Sequence, residues 1–282
     1  MDYLPTHVAI ILDGNRRWAV SKGMMKLEGH LHGAQNIKPI AEYAQEKGVQ
    51  YLTLYTLSTE NLQNRGSLEL KKLFSLFQKL SDYLGMFREK NIRVRFIGNI
   101  EKLPENLQKT FAHIQKETAS NEGMILAFAV NYGGRDEILR AIAKSQSISM
   151  TEESFSALLD TAGMPDVDLV IRTGGHLRLS NFLLWQSAYS ELYFTSTMWP
   201  AFTPAEFQKA LDWFAEQKRN KGKGAFPLRK RGKGRGILNP SPQSSPKRRG
   251  KYKNLPQSLF VKREEKGDCF SPPGRGSQGQ QV

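Results

Sequence analysis

The chain has 282 residues, of which 39% are hydrophobic, so it can build one substantial core or two small domains. Its only cysteine, Cys269, excludes an intrachain disulfide and suits a reducing compartment, and no run of about 18 apolar residues predicts a transmembrane helix. The net charge of +14 is concentrated at one end: residues 218–282 hold 18 Lys and Arg against three acids, whereas residues 1–217 sum to −1. We therefore expect a near-neutral body, residues 1–218, followed by a basic tail, residues 219–282.

The first predicted element is a buried strand that ends at a charged turn. Residues 8–12 form a continuous apolar run, which is typical of a strand covered on both faces. The residues that follow combine turn formers, an acid and two cations: Asp13, Gly14, Asn15, Arg16, Arg17 and Trp18. Glycine and arginine suit a phosphate group, and the acid fits beside it only with a cation between them, so this stretch predicts Mg²⁺ and a diphosphate. The simpler alternative is a strand–turn–helix junction with Asp13 as its N-cap.

Strands and helices then alternate along the chain. Apolar periodicity predicts helices at about residues 29–47, 67–90, 104–120, 135–145, 152–160 and 204–218, and strands at residues 51–57, 92–97, 124–130, 168–171 and 192–194. This order predicts one α/β domain with a largely parallel sheet of about six strands and helices on both faces. Polar residues follow four strands, at Asp13, Ser58, Asn131 and Arg172, and a parallel sheet brings such ends to one edge.

Six stretches of the sequence resemble motifs of the cis-prenyltransferases, the undecaprenyl diphosphate synthase family, and occur in the same order as in that family. They are HVAIILDGNRRWA (7–19), STEN (58–61), NYGGR (131–135), DLVIRTGG (168–175), SNFLLWQ (180–186) and ELYF (191–194). The likeness covers residues 1 to about 218. It implies the fold of that family and a synthase that condenses isopentenyl diphosphate with an allylic diphosphate in cis, making a polyprenyl lipid carrier for cell-wall or glycan synthesis.

The resemblance also implies roles for individual residues. Asp13 would be the main catalytic residue and a Mg²⁺ ligand, Glu191 the second ligand, and Asn61 an aid to proton removal. The allylic diphosphate would be held by Gly14, Asn15, Arg16, Arg17, Trp18, Lys26 and His30. Ser58, Thr59, Glu60, Leu62 and Asn64 would complete the substrate site, and isopentenyl diphosphate would be held by Arg172, Arg178, Leu179 and Ser180.

The chain departs from the family pattern at a few of these positions. Arg16 replaces a usual Gly, Lys26 a usual Arg and Leu62 a usual Trp. A further Arg of the family pattern aligns with Asn64, and this chain has its Arg one place later, at Arg65. Either Asn64 occupies the position of the family's Arg, or the loop shifts so that Arg65 reaches into the site. Farther on, residues 176–177 read His-Leu where the family has Glu-His.

The apolar run Phe182-Leu183-Leu184-Trp185 requires a covering surface, so together with the resemblance it predicts a homodimer through residues 185–194 and the last sheet edge. Ordinary core is the alternative for this run. A non-catalytic partner subunit is the alternative function, but the presence of Asp13, Arg17, Arg172 and Glu191 argues against it.

The low-complexity tail has too little apolar surface to fold, so we expect disorder. It can act as a tether to anionic membranes or have no role. Its Gly-basic repeats lack interleaved aromatic residues, so no nucleic-acid binding is expected. The N-terminal MDYLPTH lacks the basic and apolar stretches of a secretory signal, so we expect a cytoplasmic protein with peripheral membrane contact at most.

Overall fold

A computed structural model of the protein describes residues 4–145 and 149–217. Their strands form one six-stranded sheet, in which every pair of neighbours is parallel and the spatial order is β3-β4-β2-β1-β5-β6. The strands are β1 (His7–Ile11), β2 (Tyr51–Ser58), β3 (Arg93–Ile97), β4 (Ile125–Tyr132), β5 (Leu169–Arg172) and β6 (Glu191–Phe194). The predicted α/β fold with a parallel sheet is confirmed, whereas the predicted tail lies outside the described residues.

Helices cover both faces of the sheet. They are α1 (Asn15–Ser21), α2 (Glu28–Gln35), α3 (Ile37–Glu46), α4 (Thr59–Asn64), α5 (Ser67–Gln78), α6 (Leu84–Glu89), α7 (Glu105–Glu117), α8 (Gly134–Lys144), α9 (Glu152–Ser156) and α10 (Pro204–Ala215). None of the helices in residues 4–145 and 149–217 combines the length and the hydrophobicity of a membrane-spanning helix.

Two predicted helices are interrupted. The helix expected at residues 29–47 is two helices, α2 and α3, because Pro39 has no N–H to donate to the carbonyl of Gln35. The helix expected at residues 67–90 consists of α5, a 3-10 turn over Lys79–Tyr83, and α6. Ser81 and Asp82 lie in that turn, and both residue types compete with helical hydrogen bonds.

The core lies on both faces of β1. Val8 and Ile10 belong to the larger apolar cluster, whereas Ala9 and Ile11 belong to a second cluster on the opposite face. Phe182 and Leu183 are fully buried in that second cluster. The apolar run that was expected to need a partner chain is therefore core at these two positions, and the dimer prediction loses this support.

The direction in which successive strands are added across the sheet reverses between the neighbouring strands β1 and β5. From β1 it crosses to β2 on one side, whereas from β5 it crosses to β6 on the other. In open α/β sheets, such a reversal opens a crevice outside the carboxyl ends of the two strands, and ligands bind there. Asp13, just after β1, and Arg172, the last residue of β5, lie at this crevice.

Buried His7 predicts that stability depends on pH. Its Nδ1 lies 2.8 Å from the carbonyl of Pro165 and its Nε2 2.8 Å from the Thr53 hydroxyl. Burial lowers the pKa of His7 to about 4, although Pro165 and Asp168 partly oppose the shift. Above pH 6.5 the ring is neutral in the folded and in the unfolded protein. Between pH 6.5 and about pH 4, the unfolded chain binds a proton on His7 that the folded chain does not bind.

We therefore expect the free energy of unfolding to fall between pH 6.5 and 4, by about 2 kcal/mol at pH 5 from this residue. Urea unfolding at pH 7 and pH 5 measures the loss. His7→Gln should reduce it, whereas His113→Gln, on the exposed face of α7, is the control. An equal loss in wild type and His7→Gln would show that another group causes the acid sensitivity.

Candidate active site

Two adjoining cavities open at the carboxyl end of the sheet, with volumes of about 580 and 600 Å³. The first is lined mainly by α1 and the start of α2, and the second by the ends of β1, β2 and β5. Both are lined by Leu12, Asp13, Asn15, His30 and Arg65. A ligand in one cavity therefore lies beside a ligand in the other, with Asp13 between them.

Asp13 is held between two arginines. Its Oδ1 accepts from Arg17 Nη2 at 3.1 Å and its Oδ2 from Arg172 Nη2 at 2.9 Å. Burial alone would raise the pKa of Asp13, but the hydrogen bonds and charges of Arg172 and Arg17 outweigh it and lower the pKa. The carboxylate is thus ionised at neutral pH. It is not the N-cap of α1, a position taken by Gly14, whose φ of +107° favours glycine.

The first cavity depends on close packing between α1 and α2. A Cβ at Gly29 would lie 2.0 Å from the backbone oxygen of Asn15, and a Cβ at Gly33 would lie 2.1 Å from the side-chain Oδ1 of Asn15. These glycines, one helical turn apart, let α2 lie directly against the start of α1. His30, between them on α2, consequently points into the site and lines both cavities.

Glu69 of α5 offsets part of the positive charge in the first cavity. Its Oε1 lies 3.3 Å from His30 Nε2 and 3.3 Å from Arg65 Nη1, and its Oε2 lies 3.9 Å from Arg16 Nη1. Burial and the charge of Arg65 lower the pKa of His30, although Glu69 opposes the shift. His30 is therefore neutral at pH 7 and offers hydrogen bonds rather than charge.

Arg65 takes the place that the sequence left open. Its side chain is mostly buried and lines both cavities, whereas Asn64 is exposed and lines neither of them. The structure thus favours the second of the two alternatives, in which Arg65 reaches into the site, and places Asn64 outside both cavities. Leu62 packs against the larger core cluster instead of lining these cavities.

The second cavity holds a hydrogen-bonded group of arginines around one hydroxyl. Ser180 Oγ accepts from Arg172 Nη1 at 2.7 Å and from Arg178 Nε at 3.2 Å. Arg172 also donates to the backbone carbonyl of Arg178. Since its other nitrogen contacts Asp13, Arg172 connects the two cavities. Two arginines and a hydroxyl form a site suited to a phosphate group.

The STEN segment contributes to the wall of the same cavity. Ser58, Glu60 and Asn61 line it, and Ser58 Oγ also caps α4 by accepting from the Asn61 N–H at 3.1 Å. Ser58 thus caps α4 and lines the cavity at the same time. Hydrogen bonds from its own backbone and from Asn181 help lower the pKa of Glu60, although burial opposes them.

Comparisons with known proteins decide the family. A family model described as "Putative undecaprenyl diphosphate synthase" matches residues 11–222. An isoprenyl transferase of Aquifex pyrophilus is 46% identical over 227 residues, which cover 78% of this chain and 96% of that protein. The chain belongs to the undecaprenyl diphosphate synthase family. The resemblance read from the six motifs is confirmed.

Two solved structures share the fold of this family member. Lavandulyl diphosphate synthase from Lavandula x intermedia, in complex with dimethylallyl diphosphate, aligns with a TM-score of 0.74 at 35% identity and covers 77% of this chain and 97% of that chain. A probable undecaprenyl diphosphate synthase from Campylobacter jejuni aligns with a TM-score of 0.67 at 32% identity, covering 79% and 100%.

Glu191, the expected second metal ligand of the family motif, lies at the opposite end of the sheet. It pairs with Leu169 at the start of β5, whereas Arg172 pairs with Phe194. Three residues of strand separate Glu191 from the level of Arg172 by about 10 Å. Asp13 lies farther still, beyond the end of β1. The expectation that Asp13 and Glu191 ligate one ion is therefore wrong within a single chain.

Other expected residues support the site from outside the two cavities. The Trp18 ring packs against His32, with centroids 4.9 Å apart. Leu179 packs against the second core cluster, and Thr59 lies against Gly133. Conversely, Lys26 lines the first cavity as predicted, and His176, which departs from the family pattern, lines the second.

Tyr55 and Asn181 are among the residues of the second cavity that were not identified from the sequence. Tyr55 projects from β2, and its ring stacks on Phe182 at a centroid distance of 4.4 Å. Asn181 follows Ser180 and contacts two neighbouring loops. Only Asn181 carried a signal, because it is a polar residue inside the SNFLLWQ motif; Tyr55 looks like any aromatic residue of a strand.

Proposed function

We propose that this protein is a Mg²⁺-dependent cis-prenyltransferase that extends an allylic diphosphate with isopentenyl diphosphate units to make a polyprenyl lipid carrier. The observation that carries the proposal is one carboxylate, Asp13, shared by two cation-lined cavities. A condensation of two diphosphates requires two such anion sites side by side. It also requires negative charge to be stabilised on the diphosphate that leaves.

The residues around Asp13 fit a Mg²⁺ ion. Among the described residues, no group of three or more His, Cys, Asp or Glu could enclose a metal. Mg²⁺ suits this donor set because it binds through one or two carboxylates together with substrate phosphates and water. Asp13 would hold the ion, which when bound neutralises charge on the leaving diphosphate.

The chain's own residues have distinct tasks. In the first cavity, the amides after Gly14 and the side chains of Arg17 and Lys26 bind the allylic diphosphate. In the second cavity, Arg172 and Arg178 hold isopentenyl diphosphate beside it. The allylic C1–O bond breaks with its electron pair on the diphosphate, and C1 bonds to the terminal alkene carbon of isopentenyl diphosphate. A C2 proton is then lost, which by resemblance Asn61 assists.

The growing hydrocarbon chain requires an apolar path away from the charged cavities. A third cavity, of about 70 Å³, begins at Leu12, Asn15 and His30 and continues between α2 and α5. Apolar side chains such as Leu73 and Phe77 line its inner part. The allylic chain enters there, with its diphosphate left in the first cavity.

Arg178→Ala should separate the two substrate sites. Arg178 lines only the second of the two charged cavities, so we expect the KM for isopentenyl diphosphate to rise roughly 10- to 150-fold, the effect of one charge-assisted phosphate contact. The KM for the allylic substrate should change little. Steady-state kinetics with each substrate varied in turn measures both values. Equal increases would show that the cavities are assigned wrongly.

A homodimer remains part of the proposal. Its support is now the family together with an exposed apolar surface near the edge strand β6, where Tyr189 is 70% and Leu192 38% exposed. Light scattering at micromolar concentration tests it, and a monomer would contradict it.

Cytoplasmic location with peripheral membrane contact through residues 219–282 is also proposed. The support is compositional, since this segment holds 17 Lys and Arg against three acids. Basic residues near an anionic surface contribute about 1 kcal/mol each. Full-length protein should co-sediment with anionic vesicles at low salt but not at high salt. Salt-independent sedimentation, or none, would contradict the tether.

Metal dependence tests the chemical core of the proposal. Purified full-length protein is incubated with farnesyl diphosphate and labelled isopentenyl diphosphate, with excess EDTA or with added Mg²⁺. We expect incorporation only with Mg²⁺. Incorporation that is undiminished by EDTA would contradict the role of the metal, and no incorporation in any condition would contradict the enzyme.

A further inference from the structure

The loop after β5 has an unusual backbone at the second cavity. Ser180, Asn181 and Leu183 have positive φ values of 50°, 65° and 43°. Residues other than glycine rarely adopt this left-handed conformation, and such outliers cluster at binding sites, where surrounding contacts maintain them. Ser180 is the hydroxyl shared by Arg172 and Arg178, so the unusual backbone sets the geometry of the proposed isopentenyl diphosphate site.

Asn181 fastens this loop to two others. Its Oδ1 accepts from the Arg135 N–H at 2.9 Å, and its backbone oxygen accepts from the Gly134 N–H at 2.7 Å, both at the start of α8. Its Nδ2 donates to Glu60 Oε1 at 2.8 Å, in the STEN segment. Asn181 therefore joins the loop after β5 to the start of α4, which follows β2, and to the start of α8, which follows β4.

The facing residues leave little room for another arrangement. A Cβ at Gly133 would lie 2.7 Å from Asn181 Nδ2 and 2.7 Å from Thr59 Oγ1. The glycine thus lets the amide of Asn181 lie directly against the loop after β4. Glu60, in turn, accepts the hydrogen bond as a carboxylate, because hydrogen bonds that include this one help lower its pKa.

We infer that Asn181 is a positioning residue, which holds Ser180 and its partner Arg178 in place for the condensing diphosphate by joining Glu60 to the start of α8, whereas Arg172 is also held by Asp13. This inference rests on the proposed function of the second cavity. The amide is required because it accepts from a backbone N–H on one side and donates to a carboxylate on the other. An aspartate would keep the first contact and oppose Glu60 at the second.

Four variants of the full chain test this role by kinetics. Asn181→Gly keeps the left-handed backbone and removes the side chain, so we expect the KM for isopentenyl diphosphate to rise about tenfold, as for one charge-assisted hydrogen bond. The KM for farnesyl diphosphate should change little. In the double variant Asn181→Asp with Glu60→Gln, donor and acceptor exchange sides and the net charge stays the same. The double variant should have an isopentenyl KM within about threefold of Glu60→Gln alone, whereas Asn181→Asp alone should be much worse.

The outcomes separate the alternatives. If Asn181 contacts the substrate directly, the exchanged pair will not rescue, and the inference is overturned. If only charge matters, Asn181→Gly will be harmless, and the inference is again overturned. An equal rise in both KM values, with loss of thermal stability, would indicate a purely structural role and also overturn it. If wild type itself incorporates no isopentenyl diphosphate, the proposed function fails first and the inference fails with it.

Discussion

Asp13→Ala is expected to fold normally and to lose at least about 10²–10³-fold in kcat. Asp13 is the only carboxylate among the residues that line both charged cavities, and its pKa is held low by Arg172 and Arg17. Its removal eliminates the proposed Mg²⁺ ligand, so the charge on the departing diphosphate is no longer neutralised by the ion. The fold should persist, because Arg172 keeps its contacts with Ser180 and the carbonyl of Arg178.

Turnover with saturating substrates and Mg²⁺ measures this loss, and circular dichroism and thermal unfolding check the fold. Asp212→Ala is the matched control, since Asp212 is an exposed carboxylate on α10, far along the chain from the cavity residues. The control should keep wild-type turnover. Turnover within a few-fold of wild type in Asp13→Ala would remove Asp13 from the centre of the mechanism.

Arg172→Gln is expected to impair both substrates together. Arg172 is largely buried, with one nitrogen 2.9 Å from Asp13 and the other 2.7 Å from Ser180. The change removes two charge-assisted hydrogen bonds, each worth about 1.5–3 kcal/mol, so kcat/KM should fall by about 100-fold or more for each substrate. This differs from Arg178→Ala, which should affect only isopentenyl diphosphate.

Arg172→Lys refines this prediction, because a lysine keeps the charge but contacts only one partner at a time. We expect it to recover part of the activity and no more. Arg88→Gln is the control, since Arg88 pairs with Glu117 on the surface. An effect of Arg172→Gln on one substrate alone would show that this residue does not connect the two cavities.

Much of the fold could be predicted because its strands are continuous apolar runs. Residues 8–12 and 124–130 indicated strands covered on both faces, and the parallel arrangement followed from the intervening helices. The breaks in the helices were less visible. Pro39 was a readable signal at one of them, whereas the 3-10 turn at Lys79–Tyr83 keeps the same apolar face as its neighbours, so periodicity does not reveal it.

The two proposed anion sites could be predicted from the sequence because arginine and glycine follow strand ends. The register of β6 against β5 could not be read from the sequence, and this register decides the position of Glu191. The two strands are parallel, and Glu191 lies level with the start of β5, at the end of the sheet opposite the cavities. Arg65 required the three-dimensional path of the loop after α4. Asn181 required its hydrogen-bond partners, which lie 46 and 121 residues away along the chain.

If one carboxylate between two diphosphate sites supports cis condensation, the structure of the product will show it directly. Full-length protein is incubated with Mg²⁺, farnesyl diphosphate and ¹³C-labelled isopentenyl diphosphate, and the products are examined by mass spectrometry and NMR. We expect a series that grows by whole isoprene units, with every new double bond in the Z configuration. New E double bonds, or a product in which the two substrates are joined in any other way, would contradict it.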